Sequence, residues 1–132
     1  MTRSVKDRPV IFTDDGWIML HDPPLTPEII RDEFVKSFEG IPASLWWSVG
    51  GHEVYSYETQ VGEIVGEGYD LSELADDPRT RAENTRHLMK TAGGPLTILT
   101  GLCRKVGLEF FPRVRMNSHY LHKEPSSPEY GR

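Results

Sequence analysis

Three apolar runs in this sequence end in polar residues of types that suit chemistry. In "VIFTDDGW", Val10, Ile11 and Phe12 lead to Asp14 and Asp15. In "ASLWWSVGGHE", the run through Trp46 and Trp47 leads to His52. In "LEFFPRVRMNSHY", Leu108, Phe110, Phe111 and Val114 lead to Arg115, Asn117 and His119. A carboxylate can act as acid, base or hydrogen-bond acceptor, arginine is a forked donor that also holds a carboxylate, and asparagine both donates and accepts. An aromatic ring at such a tip is a platform for the C–H face of a sugar ring. One polar tip would mean little; three make a rim.

Alternation limits what each pair can do. Adjacent residues on a strand point to opposite faces, so only one of Asp14 and Asp15 faces a site, and "DDG" also fits a plain turn. Trp46 and Trp47 divide in the same way, one packing under helices and the other facing outward; Trp47 is the one assigned to the rim. Arg115 at the end of a buried strand needs a carboxylate partner, and Asp14 or Asp15 can supply it. Pairs such as His119 with His122 or Asp14 with His21 lack the spacing of a known metal motif, so no metal is expected; a hydrolase with metal on Asp14 and His119 is the least favoured arrangement.

The elements that must position these tips follow from the punctuation. Val10–Ile11–Phe12 reads as a strand buried on both faces. "LTPEIIRDEFVKSFEG" reads as a helix capped by Thr26, opened by Pro27 and Glu28, striped by Ile30, Phe34 and Phe38, and stopped by Gly40. "ASLWWSVGG" is a second strand. Residues 52–76 show no clean period, and unstructured segments of that length are often functional. Asp77 and Pro78 start a helix that runs to about Thr91. "PLTILTGLCRKVG" is another, with Leu96, Leu99, Leu102, Cys103 and Val106 as its stripe and Gly107 as its stop. A third strand follows from Leu108. The tail "HKEPSSPEYGR" is polar, flexible and without a visible core role. Strands alternating with helices predict an α/β fold with a parallel sheet and right-handed crossovers, in which chemistry gathers at the carboxyl ends of the strands.

Composition narrows the function classes. A chain of 132 residues supports one domain. A net charge of −5 without a basic run argues against nucleic acid. No apolar stretch approaches the roughly 20 residues of a membrane helix, and "MTRSVKDRPV" lacks the apolar centre of a signal peptide, so a cytoplasmic, non-membrane protein is expected. One cysteine excludes an internal disulfide and a cysteine metal cluster. "VGEIVGEG" matches neither dinucleotide nor phosphate-loop patterns, no G-x-S-x-G elbow occurs, and no cofactor is expected.

"VIFTDDGW", "WWSVGGHEVYSYETQVGE" and "PLTILTGLCRKVGLEFFPRVRMNSH" together resemble the N-terminal part of glycosyl-hydrolase-like TIM-barrel proteins of the family-10-like group. The resemblance covers about Arg8 to His119, and its nearest echo is the run Arg115-Met116-Asn117. It implies a partial (β/α)8 TIM barrel of about three parallel strands with crossover helices, residues 1–132 forming the N-terminal portion of one barrel domain and 120–132 its tail. It implies carbohydrate as the substrate. Asp14, Asp15, Trp47, His52, Arg115, Asn117 and His119 would contribute to its binding. Ser118 stands where an aspartate is common, so that acid's role does not carry over. The family's catalytic acids follow later strands, and three parallel strands leave edges and an apolar inner face (Ile11, Leu45 or Phe110) for the remainder of a barrel or for a homo-oligomer. The alternative is a non-catalytic α/β module that binds a ligand or partner through the same rim.

Overall fold

The computed structural model describes residues 10–51, 54–115, 125–128 and 130. In chain order its strands are β1 (Val10–Asp14), β2 (Ala43–Gly51), β3 (Val54–Tyr55), β4 (Glu63–Ile64) and β5 (Glu109–Arg115). Its helices are α1 (Pro27–Ile29), α2 (Asp76–Ala92) and α3 (Pro95–Lys105). β2 is central. β1 lies parallel to it, Phe12 beside Leu45, and β5 lies parallel on its other side, Leu45 beside Phe110. Where β1 stops, β3 takes its place antiparallel to the end of β2, and β4 runs parallel to β3. The architecture is α/β with a mixed sheet; the three longer strands are parallel, as their helical crossovers require.

Alternation along β2 sorts the core. Ala43, Leu45, Trp47 and Val49 meet Ile30 and Val35 after β1, Leu88 of α2, and Leu99 and Cys103 of α3 in one buried cluster. All three helical segments therefore cover the same face. Phe12 and Phe110 pack against that cluster from the flanking strands. This corrects the expectation that Leu45 or Phe110 lines an open inner face: of the three residues named for it, only Ile11 does, 56% exposed. Strand β1 is accordingly buried on one face, because nothing among the described residues covers the other.

Local chemistry explains the helix ends. The hydroxyl of Thr26 accepts from the backbone N–H of Ile29 at 3.3 Å, as expected of its cap. The helix then widens into a π turn at Ile30–Phe34 and tightens into a 3-10 turn at Val35–Phe38, which still brings Ile30 and Val35 into the core. α2 begins one residue before Asp77, with Ala75 in the capping position. The opening turn of α3 is capped from afar. Glu58 accepts from the backbone N–H of Thr97 at 2.6 Å and of Leu96 at 3.1 Å. A carboxylate there satisfies helix donors and complements the positive end of the dipole.

Residues 54–74 are more ordered than their lack of period suggests. Besides β3 and β4 they hold a 3-10 turn at Leu71–Glu73, and Val54, Val65 and Leu74 form a second small core with Ala82 and Tyr130. Arginines of α2 secure the segment: Arg79 donates to the carbonyls of Leu71 (2.9 Å) and Leu74 (2.8 Å), and Arg86 to that of Gly66. The tail has a core role after all. Tyr130 is buried there, and Pro125 accepts a hydrogen bond from Ala75 at 3.0 Å.

Cys103 sits in the main core, and burial pushes its thiol up to about 11. Almost no thiolate forms near neutrality, and the thiolate is the nucleophile. The folded protein is expected to resist a thiol reagent such as DTNB at pH 8 and to react stoichiometrically once unfolded in urea. Rapid labelling of the native state would show that α3 opens locally.

Candidate functional site

The helix-free face of the sheet is built from three rows of side chains running across the strands. The register aligns Ile11, Ser44 and Glu109 in one row and Thr13, Trp46 and Phe111 in the next. One residue beyond the pairing of Asp14 with Trp47, Asp15 continues a third row through Ser48 to Arg113. Small and large residues alternate down β2. Ser44 and Ser48 are buried between larger neighbours, while Trp46 stands 39% exposed. The indole of Trp46 and the ring of Phe111, itself 42% exposed, lie with centroids 5.8 Å apart at a tilted 59°.

At the carboxyl end of this face one carboxylate is held by two arginines. Arg113 Nη2 donates to Asp15 Oδ1 at 2.5 Å, and Arg115 Nη2 lies 3.6 Å from Asp15 Oδ2. The expected partnership of Arg115 with Asp14 or Asp15 is therefore present, and Asp15, one residue past the end of β1, is the aspartate. Arg113, which the strand pattern had not singled out, makes the shorter contact. β2 separates the two strands, so the bond spans roughly two strand spacings, about 10 Å of backbone separation. A serine at position 48 leaves the guanidinium stem room to cross.

Asp14 has the other fate open to it. Its Oδ1 accepts from the backbone N–H of Gly16 at 2.7 Å and of Trp17 at 3.2 Å, closing the turn that leads out of β1. Burial raises its pKa, opposed by those two hydrogen bonds and by the nearby Arg81. Gly16 adopts φ 79°, and a Cβ there would sit 3.0 Å from the Ser48 carbonyl oxygen and 3.3 Å from Arg81 Nη1, so a side chain in this turn is both strained and crowded. Asp14 is thus a turn residue on the helix side, and the two adjacent carboxylates diverge as strand alternation requires.

Trp47 is corrected outright. It is 0% exposed and packs beneath the helices, so it cannot meet a ligand. The outward aromatic is Trp46. The signal was in the sequence: Ser44, Trp46 and Ser48 share one parity, and the apolar Leu45, Trp47 and Val49 share the other. The same count along β5 joins Phe111, Arg113 and Arg115. His52, Asn117 and His119 lie outside the described residues.

No group of three or more histidine, cysteine, aspartate or glutamate side chains suitable for a metal occurs among the described residues. His21, rather than meeting Asp14, places Nε2 3.3 Å from Glu33 Oε2. No helix among the described residues is long and apolar enough to cross a membrane. No protein-family model matches the chain, and no curated protein matches it.

Proposed function

We propose that the chain supplies the carbohydrate-binding part of a glycoside-hydrolase-like α/β barrel, holding a sugar on the open sheet face and its carboxyl rim. The observation that carries this reading is the adjacency of the exposed Trp46–Phe111 pair to the Asp15–Arg113–Arg115 cluster. Trp46 offers a ring for the apolar face of a pyranose. Asp15 accepts hydrogen bonds from sugar hydroxyls while the two guanidiniums donate to hydroxyl oxygens, and their contacts fix the carboxylate in direction. Asn117, His119 and His52 would extend the rim from beyond the described residues.

Binding, not bond cleavage, is the role this geometry supports. Both usual glycosidase mechanisms place two carboxyl groups about 5–10 Å apart across the scissile bond. Asp14 and Asp15 diverge to opposite faces and cannot flank one bond. Catalytic acids would come from further strands of a barrel, and the sugar is the partner to test first.

Titration of a panel of neutral oligosaccharides, followed by Trp fluorescence and calorimetry, tests the reading. Trp46→Ala is expected to weaken binding about tenfold, the effect of losing one stacked ring. Asp15→Asn is expected to weaken it by a similar factor. A chain that binds none of the panel at about 10 mM has no sugar site worth the name.

One observation favours a second reading. Ile11, Trp46 and Phe111 make an apolar strip, and no strand among the described residues pairs with the outer edge of β1 or β5. Such a face also suits a non-catalytic module that docks a protein partner or another copy of itself. Failure of every sugar, with a sedimentation coefficient that rises with concentration, would select it.

A further inference from the structure

A groove of about 410 Å³ lies apart from the open sheet face, between the β4 segment and the second half of α2. Ile64, Val65 and Met89 give it an apolar floor, and Glu67, Arg86 and Lys90 line it beside them. Its volume falls within the range of small-molecule sites, which combine an apolar lining with a few placed polar groups.

Two of those polar groups are already committed. Arg86 Nη2 donates to the carbonyls of Gly66 and Tyr69, at 2.5 and 3.2 Å; hydrogen bonds from Ser72 chiefly lower the pKa of nearby Asp70, and the guanidinium adds to them. Glu67 Oε2 accepts from the backbone N–H of Ile64 at 2.9 Å. These bonds fix the rim and leave the exposed Lys90, one turn after Arg86 on α2, as the cation available to a ligand among the described residues of the groove. An anion seated between Lys90 and Arg86 would place any apolar body attached to it over Met89 and Ile64.

We infer that this groove binds a small monocarboxylate with an apolar body, such as an aryl- or alkyl-acetate. The site is independent of the carbohydrate reading, shares no residue with it, and stands if that reading fails. Lys90 supplies the charge that selects an acid over its neutral amide. The floor supplies most of the affinity, and Arg86 orients the carboxylate without giving up its backbone bonds.

The test is a methyl NMR titration of the full chain, following Met89, with phenylacetate and with phenylacetamide as its uncharged counterpart. Phenylacetate is expected to shift the Met89 methyl saturably with Kd about 1 mM, and the amide to bind roughly fivefold more weakly. Lys90→Gln, at an exposed position, is expected to bring the two within about twofold while leaving the rest of the spectrum unchanged. Equal affinity for acid and amide in the unmodified protein overturns the proposal. So does a preference that survives Lys90→Gln, or the lack of a saturable Met89 shift below about 10 mM.

Discussion

Asn84→Ala is expected to lower the unfolding free energy by about 3 kcal/mol, from the desolvation cost of orphaning buried backbone groups. Asn84 is fully buried on α2. Its Oδ1 accepts from the N–H of Leu25 at 2.9 Å, and its Nδ2 donates to the carbonyls of Met19 at 3.0 Å and His21 at 2.7 Å. One amide therefore satisfies three backbone groups of the segment joining β1 to α1, and no methyl group can replace it. Asn84→Asp keeps the acceptor but loses both donors and buries a charge, so it should be at least as damaging. Urea unfolding measures the effect: the midpoint should fall while the slope stays constant. A loss under about 1 kcal/mol would mean that the segment holds its place without the amide, and that its backbone finds water instead.

The second large effect separates two adjacent tryptophans. Trp47→Ala is expected to cost about 3–5 kcal/mol, as truncations of buried large side chains do, which leaves little in a domain at the lower end of ordinary stability. Trp46→Ala should stay within about 1 kcal/mol of the parent, since it removes a half-exposed ring that packs beside the likewise exposed Phe111. Trp47→Phe is the refinement. The Trp47 Nε1 is buried with no hydrogen-bond partner among the described residues, so phenylalanine removes an orphaned donor while keeping most of the apolar contact. Thermal unfolding of the three variants is the measurement. Similar losses for both alanine variants would contradict the assignment of faces.

Those two residues also show where sequence reasoning reaches its limit. The bounds of β2 were legible, because Pro42 and paired glycines bracket a run of apolar and aromatic residues. Which indole faced outward was also written there, in the parity of Ser44 and Ser48, but it needed that parity to be weighed above the nearness of Trp47 to the strand's end. Asn84 and Arg81 were not legible. Polar residues on a helix normally mark its solvated face, whereas here they turn inward to meet carbonyls of the β1–α1 segment. Nothing local reports a bond to a backbone group so distant in the chain. The order hidden in residues 54–74 escaped for the same reason: its carbonyls are satisfied by arginines of α2 and its core by Tyr130, not by periodic neighbours.

The arrangement that fixes the rim has a bearing on how the chain reaches its fold. Asp15 and Arg113 are separated by 98 residues, and Asn84 reaches back 59 to 65 residues to its partners. Closing such separations must precede any reward from the contacts, and topologies rich in them fold slowly. During synthesis β1 and β2 emerge long before β5, so the Trp46 face waits without Phe111 beside it and the tip of β1 waits without its arginines. Through that interval the nascent chain presents a hydrophobic strand pair to solvent or to whatever chaperone meets it, and β5, the latest of the described strands to leave the ribosome, is the one that locks the first.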